Sequence, residues 1–298
     1  MTRRTLALIA SLAAASQAQE MLGINNLAEL NFGAGGDTLI RFDFANPAGW
    51  SDIATIRDPA GNPLNGFGGL DFGGHPANPT LYAMKSFDFS DDPNHPDIGN
   101  LYAINPATAQ ATLLGNVGAT INDLAWDPVT QDLYGVDGSG GLWANLDDPA
   151  NATLVGIFDG DAGTGINAGL GFDSLGNLYV LDLISNAIYA GRGTAVSLLH
   201  QLNYDANFSQ GLFVDWSRDD AGFHAALNNS TFNSDNFNFG TLPTGGGYGP
   251  FAGRFPINPD LNFPEVQVGD LARAPLPAPS SLAALALAAL GAIHRRRV

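Results

Sequence analysis

The chain contains no cysteine. That excludes a disulfide framework, a thiolate metal site and a cysteine nucleophile. Basic residues are also scarce: 12 Lys and Arg stand against 29 Asp and Glu, for a formal charge of −17. Five of the twelve (Arg3, Arg4, Arg295, Arg296 and Arg297) lie at the two ends, so the body between them is more acidic still. Such a surface repels phosphate backbones, which excludes nucleic acid as a partner. No Gly-x-Ser-x-Gly elbow, phosphate loop or dinucleotide fingerprint occurs. His75, His95, His200 and His224 are spread along the chain without metal-ligand spacing. No catalytic constellation emerges, and the expectation is a non-enzymatic protein without a cofactor.

Turn-forming residues, by contrast, are abundant. In 298 residues there are 37 glycines and 18 prolines, and 14% of residues are charged. That composition points to many turns joining short strands.

The two ends differ from the body. Residues 1–18 have a basic start (Arg3, Arg4), an apolar run from Leu6 to Ala15 and a small-x-small site at Ser16-Gln17-Ala18. This pattern predicts a secretory signal peptide cleaved after Ala18. At the other end, Leu282 to Ile293 is an unbroken apolar run, followed at once by Arg295, Arg296 and Arg297. Positive charge beside an apolar helix stays on the cytoplasmic side, so the body would remain outside. The run is short for a transmembrane helix: it rises about 18 Å against roughly 30 Å of hydrocarbon. Such an anchor suits a chain held in the membrane only until a protease acts.

The tail, residues 274–298, carries Pro277-Ala278-Pro279, then Ser280-Ser281, the Ala/Leu helix and the arginine cluster. It resembles the sorting signal of the PEP-CTERM family of exported bacterial proteins. In that family Pro-Glu-Pro occupies this place, and Ala278 here replaces the glutamate. The resemblance implies an exosortase-type membrane protease as partner, cleavage near the motif, and delivery to the cell surface or an exopolysaccharide matrix. A plain C-terminal anchor is the alternative.

The body, residues 19–273, is repetitive. Four segments open on an alternating pair, Leu70/Phe72, Leu124/Trp126, Leu170/Phe172 and Leu212/Val214, at intervals of 54, 46 and 42 residues. A turn follows each pair. A second strand then starts at Leu81-Tyr82, Leu133-Tyr134, Leu178-Tyr179 and, less clearly, Phe223-His224. In the first two units a third strand precedes an Asx-Pro turn and a fourth strand. Period-two alternation marks half-buried strands, and four short strands at a period in the forties mark β-propeller blades. The units resemble loosely defined bacterial propeller repeats. The expected fold is all-β: a propeller of five blades, with six as the alternative and a β-sandwich as the structural competitor. Near the C-terminus Leu271 reopens the repeat, and the segment Leu27 to Ile56 reads as the three strands that complete it. One blade would then be built from both ends. The span from Ser230 to Val266 reads as irregular.

Few carboxylates stand out. Asp127, Asp173 and Asp215 share one place, three residues after the repeat leucine. Aspartate there is first of all a turn residue, bonding the amides of its own turn. The alternative is a ring of channel carboxylates serving as acid and base in polysaccharide hydrolysis or lysis. Asp159 and Asp161, in Asp159 to Asn167, hint at a calcium loop, but Leu170 stands where an EF-hand needs its bidentate acid. Asp91, Asp92, His95 and Asp97 form a second acidic loop. The Leu-Tyr pairs read as blade packing before sugar stacking. Together these features predict an exported, surface- or exopolysaccharide-associated propeller with a binding or structural role. The alternative is a propeller hydrolase or lyase.

Overall fold

The computed structural model describes residues 20–26, 35–43, 46–74, 78–87, 96–163, 165–201, 211–215, 222–228, 237–242, 251–254, 257–258, 263–264 and 268–273. Both the leader (1–18) and the tail (274–298), with Pro277, Pro279 and Arg295 to Arg297, lie outside the described residues. Among the described residues no helix is long and apolar enough to cross a membrane.

The fold is an all-β propeller. Its first strands are β1 (Glu20–Asn25), β2 (Thr38–Asp43) and β3 (Asn46–Thr55). Four sheets, each continuous in sequence, follow as antiparallel meanders. The first holds β4 (Phe67–Gly73), β5 (Thr80–Lys85), β6 (Asn100–Ile104) and β7 (Ala111–Asn116). The second holds β8 (Ile121–Asp127), β9 (Asp132–Asp137), β10 (Gly141–Ala144) and β11 (Thr153–Ile157). In the third are β12 (Asn167–Phe172), β13 (Leu178–Asp182), β14 (Ala187–Arg192) and β15 (Ala195–Gln201). The fourth contains β16 (Leu212–Asp215), β17 (Gly222–Asn228), β18 (Phe237–Leu242) and β19 (Phe251–Arg254). A two-stranded ribbon, β20 (Ile257–Asn258) with β21 (Phe263–Pro264), precedes β22 (Val268–Arg273). Strand β22 returns to pair with β1, Gly23 opposite Leu271, which makes a composite four-stranded sheet β22-β1-β2-β3.

Two boundaries differ from the sequence reading. The strand pairing with β22 is Glu20–Asn25, upstream of the expected start at Leu27, and residues 27–34 are outside the described set. The span read as irregular contains β18 and β19, which complete the fourth sheet. Its Asn and Gly content hid the alternation. A sandwich is ruled out by the topology: the sheets stand side by side, and their first strands β4, β8, β12, β16 and β22 touch in a closed cycle.

The repeat leucines explain the packing. Leu70, Leu124, Leu170 and Leu212 are all buried. Among the described residues, apolar cores fill three of the seams. One joins the composite sheet to the first continuous sheet through Leu22, Phe67 and Tyr102. The next seam is filled by Met84, Leu101, Leu124 and Leu133. The third is filled by Val136, Leu142, Leu170 and Val180. Inner strands must approach closely to close the ring. A Cβ on Gly169 would lie 2.8 Å from Leu212 Cβ, too close for any side chain.

Exposure rises outward. Strand β12 is buried along its whole length, whereas β7, β11 and β15 expose Leu113, Leu114, Leu154, Val155, Leu198 and Leu199.

The inner strands share a β-bulge at one place: Phe67/Gly69, Ile121/Asp123 and Asn167/Gly169. Beside each bulge a side chain crosses the seam. Asn26 Nδ2 donates to the Phe67 carbonyl at 3.0 Å, and Ser86 Oγ donates to the Ile121 carbonyl. The third seam has Gly138 in the place of Asn26 and Ser86. There Asn122 Nδ2 donates to the Asn167 carbonyl at 2.9 Å. Gly138 leaves room for that amide, since a Cβ would sit 3.3 Å from Asn122 Nδ2.

Candidate functional site: the axial carboxylates

The sequence offered Asp127, Asp173 and Asp215 as channel carboxylates. Asp127 instead closes its own turn. Its Oδ1 accepts from Val129 N at 2.8 Å and its Oδ2 from Thr130 Oγ1 at 2.9 Å. Asp173 does the same more fully. Leu175 N and Asn177 N both donate to Oδ1 at 2.9 Å, while Asn177 Nδ2 donates to Oδ2 at 2.7 Å and Tyr179 OH at 3.1 Å. These two aspartates are structural caps, as the turn reading expected. Burial, with the Asp173 charge second, pushes the Tyr179 phenol up to about 12. The Asp215 side chain lies outside the described residues.

The acidic loops give a similar picture. Asp159 is exposed, its backbone N–H donating to the Thr194 carbonyl at 3.0 Å. The Asp161 side chain lies outside the described residues. Asp97 pairs with Lys85 at 3.8 Å, whereas Asp91, Asp92, His75 and His95 lie outside the described residues. Among the described residues no group of three His, Asp or Glu is placed to hold a metal.

Two other carboxylates bridge neighbouring inner strands. Asp123, on β8, is 1% exposed. Its Oδ1 accepts from Leu124 N at 2.7 Å. Its Oδ2 accepts from Leu170 N at 2.6 Å and Leu212 N at 3.4 Å. One side chain therefore joins three inner strands where they converge. Those amides lie on the free edges of β12 and β16, and the charge satisfies donors that the sheets leave unpaired.

Asp71, on β4, repeats the device across one seam. Its Oδ1 accepts from Phe72 N at 2.7 Å and its Oδ2 from Trp126 N at 2.8 Å. Asp71 is only partly buried. Desolvation pushes its carboxyl up from 3.8 to about 7, while the amides of Trp126 and Phe72 pull against that rise. This residue can gain or lose its proton near neutrality.

Sequence reasoning missed both residues, though one signal was there. Asp123 stands where the other continuous units have Gly69, Gly169 and Gly211, and Asp71 where they have Ala125, Gly171 and Phe213. Asp71 is an acid at a position otherwise small or apolar, a departure from the repeat, whereas Asp123 shares its place with Asp270, just before Leu271 of the composite sheet. Trp126 departs too, standing where others have Phe72, Phe172 and Val214. Gly73 does the same, standing where others have Asp127, Asp173 and Asp215.

No family model matches the chain, and no curated protein matches it in sequence. Solved structures do resemble it. A chain from the crystal structure of a nidogen/laminin complex aligns with a TM-score of 0.53 at 11% identity, covering 86% of this chain and 98% of that one. A structural-genomics protein of unknown function from Bacteroides thetaiotaomicron VPI-5482 aligns at 0.44, with 15% identity over 72% of this chain and 55% of that one. A streptogramin B lyase aligns at 0.40, with 10% identity over 62% of this chain and 53% of that one. At such identities the likeness concerns the fold, and what this chain shares with the first of them is the β-propeller architecture.

Proposed function

We propose that this chain is an exported five-bladed β-propeller that acts at the cell surface or in the exopolysaccharide matrix as a binding or structural component. The composite sheet β22-β1-β2-β3 is read as the fifth blade, closing the ring. The leader pattern of residues 1–18 supports export, and β1 begins two residues beyond the expected cleavage point. The tail pattern supports sorting by an exosortase-type protease. The observation that carries the non-catalytic part is the use of carboxylates: Asp123, Asp127 and Asp173 engage their oxygens with backbone amides and neighbouring side chains. An acid/base pair for glycoside chemistry needs two carboxyl groups open to substrate.

One observation favours a hydrolase or lyase: Asp71 is partly exposed and titrates near neutrality. Among the described residues, Asp123 on the next inner strand is buried and bonded to three inner-strand amides, so it is not open to substrate as a second acid.

The test is retention of the purified chain on exopolysaccharide from its own cells. Retention without release of reducing ends is the expected result. No retention would remove the glycan part of the reading, and release of reducing ends would favour the hydrolase.

A further inference from the structure

Three departures from the repeat meet at the seam between β4 and β8. Gly73 stands where the other continuous units have an aspartate, which caps its turn at Asp127 and Asp173. The Trp126 indole lies over the place that this aspartate would fill: a Cβ on Gly73 would sit 2.3 Å from Trp126 Cε3. Asp71, two residues before Gly73, accepts the Trp126 amide at 2.8 Å. So a missing side chain, an enlarged aromatic ring and an added carboxylate are neighbours in space. Repeats stack well when their units agree, and coordinated departures mark places where something other than packing is served.

Both residues are partly exposed, while the Trp126 ring also packs against the apolar core of this seam. Each Asp71 oxygen accepts one amide hydrogen, and a carboxylate oxygen has two acceptor sites, so each retains capacity for a further donor. An indole plane beside a carboxylate with spare acceptor capacity suits a sugar ring. The ring's C–H face packs on the aromatic plane, while its hydroxyls donate to the carboxylate. The charge of the chain narrows the class. A protein of formal charge −17 repels uronate and sulfate groups, which leaves neutral glycans.

We infer that Asp71 and Trp126 form a subsite for a neutral hexose unit at the β4–β8 seam, with Trp126 as platform and Asp71 as hydroxyl acceptor. This inference rests on the matrix-binding reading and assigns it a place.

The test uses the full chain and its Trp126→Ala, Trp126→Phe and Asp71→Asn variants. Two binding measurements are made on each. One is retention on the cell's own exopolysaccharide. The other is calorimetric titration with neutral hexo-oligosaccharides of four to six units from the cello, malto and galacto series. Near-ultraviolet circular dichroism confirms that each variant is folded. The expected result is binding by the native chain, a loss of tenfold or more in Trp126→Ala, partial recovery in Trp126→Phe and a several-fold loss in Asp71→Asn. Native binding with all three folded variants unaffected would overturn the subsite and leave the matrix reading standing. No binding by the native chain in either measurement would overturn both.

Discussion

Asp123 Oδ2 accepts a hydrogen bond from Leu170 N at 2.6 Å across 47 residues of sequence. The same oxygen takes Leu212 N, 89 residues away, at 3.4 Å. One buried side chain thus ties three sheets at the axis. Asp123→Ala would leave those edge amides without an acceptor. The predicted loss is roughly 3 kcal/mol, because bonds to a charged acceptor are strong and orphaned buried donors are costly. Asp123→Asn keeps one acceptor oxygen and should lose less. Urea unfolding of both variants decides it. A change below about 0.5 kcal/mol in Asp123→Ala, as for an ordinary surface substitution, would refute the tie.

Asp71 should make stability depend on pH. Its folded carboxyl titrates at about 7, against an ordinary value of 3.8. Between those values the folded state holds a proton that the unfolded state has lost. Stability therefore falls as pH rises from about 4 to about 7, and levels off above that window. Three pH units would amount to about 4 kcal/mol, and the residue's contact with solvent reduces this to about 2 kcal/mol. Asp71→Asn removes this dependence. Unfolding curves of the native chain and the variant, taken at intervals from pH 4 to 8, should diverge steadily until about pH 7. Parallel curves would contradict the assignment.

Gly73→Ala tests the seat of Trp126. The added Cβ would meet the ring at 2.3 Å, so the indole must move. Overpacking of this kind costs about 1–3 kcal/mol. The near-ultraviolet circular dichroism spectrum should change with it. An unchanged spectrum with unchanged stability would show that the indole lies elsewhere.

Asp173→Ala separates the turn role from a catalytic one. The substitution removes four hydrogen bonds, including the one from Tyr179 OH at 3.1 Å. A loss of about 1–2 kcal/mol is expected, in the range of a lost cap. The Tyr179 phenol, held up at about 12, should titrate lower once the neighbouring charge is gone. Ultraviolet titration of the phenols reads this directly. A Tyr179 titration that does not move would deny the contact.

Much of this architecture was legible in the sequence, for a physical reason. Inner-strand leucines recur because every seam needs the same buried side chain, so Leu70, Leu124, Leu170 and Leu212 announced β4, β8, β12 and β16. Turn aspartates were legible because their backbone partners lie within four residues: Asp127 caps Val129, and Asp173 caps Asn177. Asp71 and Asp123 were not, because their partner amides lie 55 and 47 residues away, and only the closed ring brings them near. Strand β1 was missed for a related reason. Its partner β22 lies at the other end of the body, and no local turn signal links the two. Strands β18 and β19 were hidden by composition, since their Phe, Asn and Gly residues blur the apolar alternation.

Export, sorting and release of the propeller body, as proposed, would be written in the mature chain, and the intact mass of the protein from the native cell envelope and from the medium reads it. The expected species starts at Gln19, ends near Pro279 and is found outside the membrane fraction. A species in the inner membrane that retains Arg295 to Arg297 would contradict it and reduce the tail to a simple anchor.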